Sequence, residues 1–158
     1  MKTRTFAIHL LRMKRMKSWV WVALLFTLLL PVGSSCKKEH EQPQIPYVYV
    51  NFSINPNSTE HQGLNVVNGW ETVTGGYRGI VLFRKSQDEF MAYERTCPND
   101  PGEDGARISV EASGITAQCP VCGSKYILLD GSTYEGPSHY PLKQYQTNYD
   151  GSLLYVYN

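Results

Sequence analysis

Cys97 and the pair in Cys119-Pro120-Val121-Cys122 are the residues of this chain best suited to chemistry. Thiolates bind soft metals, attack disulfides and form disulfide bonds. A Cys-x-x-Cys spacing by itself admits half of a zinc knuckle, a redox pair or a structural disulfide. A thioredoxin-like pair is excluded, because no βαβ pattern surrounds it. Cys36 stands apart near the start of the chain, and the other three of the four cysteines are an odd number that cannot all pair within one chain. Asp100 follows Cys97 closely and offers oxygen, and His139 offers nitrogen. No Ser–His–Asp set, phosphate loop or glycosidase carboxylate pair supports an enzyme.

The elements that must carry these thiols are short β-strands. Tyr47–Ile54 is rich in β-branched and aromatic residues and stops at Asn55-Pro56-Asn57-Ser58. Gly79–Arg84 reads as a buried strand and Glu89–Glu94 as its hairpin partner, with Ser86-Gln87-Asp88 as the turn. A further short strand is expected in Ile108–Ile115, around Gly114. Lys125–Leu129 runs into the turn dipeptide Asp130-Gly131, and Tyr145–Tyr149 and Ser152–Tyr157 flank Asp150-Gly151 as a last hairpin. Leu153, Tyr155 and Tyr157 share one face, because strand side chains alternate. No helical apolar stripe of useful length appears. All 11 tyrosines lie beyond residue 46 and are spread over many strands, as suits half-buried strand residues more than a carbohydrate-stacking surface. Arg78, Arg84 and Arg95 are expected to pair with strand neighbours, and His40 and His61 to be solvated. Asp100, Glu103 and Asp104, with Pro101, Gly102 and Gly105, read as a solvated turn.

Four segments together resemble the Rieske iron–sulfur domain family. Arg78–Arg84 is similar to the strand before that family's first cluster loop. Phe90–Pro98 is similar to the strand entering that loop, which ends Cys-Pro-His. Cys119-Pro120-Val121-Cys122-Gly123-Ser124-Lys125-Tyr126 resembles the second loop, Cys-Pro-x-His-Gly-x-x-Phe/Tyr. Gly136–Tyr145 resembles the proline loop and the strand after it. The matches fall in the family's order over residues 76–158. The resemblance implies a small all-β domain of stacked antiparallel sheets, with two cluster-binding hairpin loops at one end.

By the same resemblance Cys97 and Cys119 match the two cysteine ligands of a [2Fe–2S] cluster, while Asn99 and Cys122 stand where its two histidines belong. The implied ligands are then Cys97, Cys119 and Cys122, completed by Asn99, Asp100 or His139. Replacing imidazole by thiolate is expected to lower the potential, since histidine ligation raises it. Tetrahedral Zn²⁺ accepts the same donors. A Cys97–Cys119 or Cys119–Cys122 disulfide is a third outcome, suited to an oxidising compartment. Two functions follow as expectations. One is a lipid-anchored Rieske-like domain that binds an iron–sulfur cluster and passes electrons to an unidentified redox partner. The other is a non-redox binding or structural lipoprotein on that scaffold, its apex held by zinc or a disulfide. An oxygenase is the poorest expectation, because Rieske oxygenases add a separate catalytic domain for which these residues leave no room.

Residues 1–35 read as a lipoprotein signal peptide. Lys2, Arg4, Arg12, Lys14, Arg15 and Lys17 precede an apolar run, Trp19–Leu30, too short to span a bilayer. Gly33-Ser34-Ser35 leads into Cys36 as in a bacterial lipobox, so Cys36 is expected to be lipidated and to hold the protein on a membrane of the cell envelope, facing the periplasm or the outer surface. Met13 and Met16 are alternative starts. No Arg-Arg pair marks a folded-export route. Residues 36–46 read as a polar tether, reaching about 35 Å at ~3.3 Å per residue, and residues 47–158 as the β domain. Beyond residue 35, nine basic face 14 acidic side chains, a net charge of −5 that gives no basic footprint for nucleic acid.

Overall fold

The computed structural model describes residues 44–158; Cys36, His40 and the signal segment lie outside them. Among the described residues, ten strands and one short turn of 3-10 helix, Gln62–Leu64, make an all-β domain. The strands are β1 (Asn51–Ile54), β2 (Trp70–Val73), β3 (Ile80–Arg84), β4 (Phe90–Glu94), β5 (Ser109–Val110), β6 (Thr116–Gln118), β7 (Lys125–Ile127), β8 (Thr133–Glu135), β9 (Gln144–Tyr149) and β10 (Leu154–Tyr157). One antiparallel sheet runs β1-β10-β9-β4-β3-β2. A second, β5-β6-β7-β8, is a meander inserted between β4 and β9.

β3 and β4 explain this architecture. All five residues of each are buried, the pattern of strands covered on both faces. Alternation then supplies two cores from the same strands. Val81, Phe83, Met91 and Tyr93 pack with Ile108, Ala117, Tyr126 and Leu128 of the inserted meander. Ile80, Leu82, Phe90 and Ala92 pack with Val50, Leu64, Tyr145, Leu154 and Val156. Each large side chain buried this way contributes up to about 2 kcal/mol. The meander is therefore pressed onto the first sheet, and Cys97 and Cys119 are members of the shared core.

Turns fix the register. Asp130 Oδ1 accepts the Ser132 N–H at 2.9 Å, and Asp150 Oδ1 accepts the Ser152 and Leu153 N–H groups at 2.8 Å. The hairpins at Ser86–Asp88, Asp130-Gly131 and Asp150-Gly151 form where the sequence places them.

Other segments differ from expectation. The strand over Tyr47–Ile54 begins only at Asn51. Before it, the Asn158 side chain accepts the Val50 N–H at 3.1 Å and donates to the Val48 carbonyl at 2.8 Å, taking the place of strand partners. Ile108–Ile115 splits into β5 and a turn at Gly114, which leads into β6. His61 is not solvated: its Nδ1 lies 3.1 Å from Glu71 Oε1. Arg84 is buried and pairs with no carboxylate among its described contacts. It donates to the carbonyls of Leu64 and Gln87 and to Asn57 Oδ1, at 2.8–2.9 Å, and so ties residues 57–64 to the β3–β4 turn. Arg78 and Arg95 likewise donate to backbone carbonyls, of Glu103 and Ile108.

Candidate metal centre

Three connections meet at one end of the two sheets: the loop from β4 to β5, the β6–β7 turn and the loop from β8 to β9. The first leaves β4 through Thr96, which bridges to Arg107. The Cys97 N–H donates to the Ala106 carbonyl at 2.9 Å, closing the acidic excursion Asp100–Gly105 and leaving Cys97 fully buried at its base. The second is tight. The Cys119 N–H donates to the Ser124 carbonyl, and the Gly123 N–H back to the Cys119 carbonyl, both at 2.9 Å. Gly123 has φ +76°, a conformation easily reached only without a Cβ. Cys119 is buried, Cys122 half-buried, and the tip residues Pro120 and Val121 are exposed.

These loops bring the three thiols together. The sulfurs of Cys97, Cys119 and Cys122 all lie within 4.8 Å of one another, and those of Cys97 and Cys122 are 3.5 Å apart. No histidine or carboxylate among the described residues joins them at that spacing. Asn99 instead donates its amide to Asp100 Oδ2 at 2.9 Å, and His139 is exposed on the proline loop.

Hydroxyls line the sulfurs. The Tyr126 hydroxyl is 3.5 Å from Cys97 Sγ. Cys122 Sγ is 3.2 Å from the buried Ser124 Oγ, which also accepts the Ser138 N–H at 3.0 Å. Accepting from the Cys122 thiol and the Ser138 N–H uses only lone pairs of the Ser124 hydroxyl, whose O–H is left to donate once Cys122 is a thiolate. That bond also ties the proline loop to the cysteine turn. The fit is close: a Cβ on Gly136, at φ +97°, would stand 2.5 Å from Ser124 Cα.

Burial pushes the Cys119 thiol up to about 12, although the Cys122 and Val121 N–H groups favour its thiolate. Burial, then the nearby Cys97 sulfur, raise Tyr126 well above the ordinary phenol range. A pocket that opposes a lone thiolate at Cys119 yet gathers three sulfurs is suited to a cation, which replaces thiol protons.

A second polar cluster, which sequence reasoning missed, supports the first loop. Glu94 is fully buried at the end of β4. Its carboxylate accepts the Tyr77, Arg78 and Thr96 N–H groups, the Thr96 hydroxyl and the Tyr145 hydroxyl, all at 2.7–3.0 Å. Burial opposes its ionisation, but the Tyr145 bond and the other donors outweigh it and hold the carboxyl below its ordinary value. Gly76 leaves room for this: a Cβ there would collide with Glu94 Oε2. Only the Gly75-Gly76 pair in the sequence hints at so close an approach.

The class these observations define is an all-β domain with three clustered thiols at one end, a group that could hold a metal ion. No family model matches the chain. No curated protein matches it either. Among solved structures it is similar to a complex of reduced oxygenase and oxidized ferredoxin in carbazole 1,9a-dioxygenase, at 20% identity and a TM-score of 0.43, over 58% of this chain and 82% of that one.

Proposed function

We propose that this protein is a metal-binding, Rieske-like domain of the cell envelope, its metal held by Cys97, Cys119 and Cys122. The observation that carries the metal reading is the convergence of the three sulfurs within 4.8 Å. The Rieske-like reading is supported by the four sequence matches and by where their residues lie: both cysteine loops and the proline loop meet at one end of two antiparallel sheets.

The donor set does not fit a cluster with two histidine ligands, because no imidazole among the described residues accompanies the sulfurs. It fits a single tetrahedral metal. At a metal–sulfur distance of about 2.3 Å, thiolates on one such ion stand about 3.8 Å apart. Thiolates on the two irons of a cluster stand further apart, on either side of the bridging sulfides. Zn²⁺ at this site would crosslink the two loops, and a single iron would carry one electron. On this reading the β6–β7 turn presents two thiolates and the β4–β5 loop the third, with the Tyr126 and Ser124 hydroxyls beside them.

A second reading is favoured by the Cys-Pro sequence pattern: an iron–sulfur cluster on the three thiolates and an outside fourth ligand, passing electrons to a redox partner that docks at the exposed Pro120-Val121 tip. Metal and acid-labile sulfide assayed on anaerobically purified protein decide between them. One metal without sulfide supports the single ion, and stoichiometric iron and sulfide support the cluster. Metal-free protein with three titratable thiols removes both.

A further inference from the structure

The three sulfurs differ in how they meet each other and the solvent. Cys97 Sγ and Cys122 Sγ, at 3.5 Å, are already in contact. A disulfide needs about 2.05 Å, so the two sulfurs close by about 1.5 Å when it forms. Cys97 and Cys119 are fully buried. Cys122 is half-buried beside the exposed tip of its turn, so a reagent from solvent meets Cys122 first. Tyr126 beside Cys97 and Ser124 beside Cys122 hold the two sulfurs facing each other.

We infer that Cys97 and Cys122 form a reversible disulfide, entered at Cys122 by exchange with an external disulfide, and that this bond takes two of the three thiolates away from the metal. The metal-releasing half rests on the metal reading above; the exchange half does not. In the first step the Cys122 thiolate attacks one sulfur of the external disulfide. The Cys122–sulfur bond forms, the reagent's own S–S bond breaks, and its first thiolate leaves and takes a proton. In the second step the Cys97 thiolate attacks Cys122 Sγ. The Cys97–Cys122 bond forms and the reagent's second thiolate leaves and is protonated. Two protein thiols are oxidised, the external disulfide is reduced to two thiols, and the two cysteine protons end on them. Attack by a thiolate through a mixed disulfide is the general course of such exchange. The disulfide joins the β4–β5 loop to the β6–β7 turn, the same two loops the metal joins, so the domain end stays closed in either state.

The test uses the purified reduced protein, metal-free and zinc-loaded, incubated with oxidised glutathione, alkylated and mapped by mass. The expected result is a mass lower by two hydrogens, a peptide joining Cys97 to Cys122, Cys119 alkylated only after unfolding, and zinc released in step with the bond. Dithiothreitol restores zinc binding. Cys122→Ser is expected to form neither the crosslink nor a glutathione adduct; if that variant fails to fold, the wild-type peptide map decides by itself. A crosslink through Cys119, a persistent glutathione adduct on Cys122, or a disulfide formed with zinc still bound overturns the inference. A Cys97–Cys122 crosslink in a protein that takes no zinc when reduced keeps the exchange half and removes the metal reading.

Discussion

At the scale of single residues, the centre depends on groups that touch the sulfurs without being ligands. Tyr126→Phe keeps the packed ring and removes the hydroxyl 3.5 Å from Cys97. Neutral bonds of this kind contribute about 1 kcal/mol to stability, whereas groups that orient metal ligands weigh about 10–100-fold in affinity. The variant is expected to melt within a few degrees of wild type yet lose zinc to a competing chelator at about tenfold lower chelator concentration. Equal retention by both proteins would deny Tyr126 that role. Glu94 behaves differently, because it is a buried charge with five donors. Glu94→Gln leaves at least one of them facing an amide N–H, and should cost on the order of 3 kcal/mol in urea unfolding at pH 7. The sign of the pH dependence follows from the lowered pKa. The stabilisation is complete above the ordinary carboxylate value of 4.5 and is lost as pH falls through the lower folded-state value. Wild type should therefore lose stability on acidification below pH 4.5 more steeply than Glu94→Gln. The cysteines stood out by residue type and by the sequence around them, but Glu94 did not. Alternation along a strand reveals an outward carboxylate only when one face is wet, and β4 is covered on both.

At the scale of elements, the site exists because the β5–β8 meander folds back on the main sheet and carries the β6–β7 turn to the end of β4. The proline loop then locks that turn through Ser124 and Ser138. Gly136→Ala places a methyl group against the Ser124 backbone and strains a residue at φ +97°. A cost of at least about 2 kcal/mol is expected from the left-handed backbone and the contact together. Zinc should also dissociate faster, because the Ser124 hydroxyl is no longer held by Ser138. An unchanged melting temperature with unchanged zinc retention would show that the proline loop is not part of the centre. The sequence placed the hairpins well, since Asp-Gly turns and a continuous apolar run are local signals. It did not show that Cys122 would approach Cys97 more closely than the Cys-x-x-Cys spacing suggests. That contact depends on the packing of Tyr126, Leu128 and Ala117 against Val81 and Tyr93, residues distant in the chain. Nor did it show that β1 starts late, because the Asn158 side chain that replaces the missing strand partner lies at the far terminus.

At the scale of the whole molecule, the proposal is a small domain whose end is crosslinked through sulfur and whose start is tied to a membrane. Cys36→Ser is expected to move the protein from the membrane fraction to the soluble fraction and to leave metal binding unchanged. Retention in the membrane would remove lipidation of Cys36 from the account. The all-β class was legible from turn spacing and strand composition, and the two-sheet arrangement from the resemblance. The occupant of the site was not, because asparagine and cysteine at the expected histidine positions leave donor geometry as the only guide. That geometry makes a claim open to direct measurement. X-ray absorption at the edge of the bound metal, on protein purified without added oxidant, should give about three sulfur neighbours at about 2.3 Å and a single lighter atom, with no second metal nearby. A shell without sulfur, or a second iron beyond the sulfurs, would contradict a single ion held by Cys97, Cys119 and Cys122.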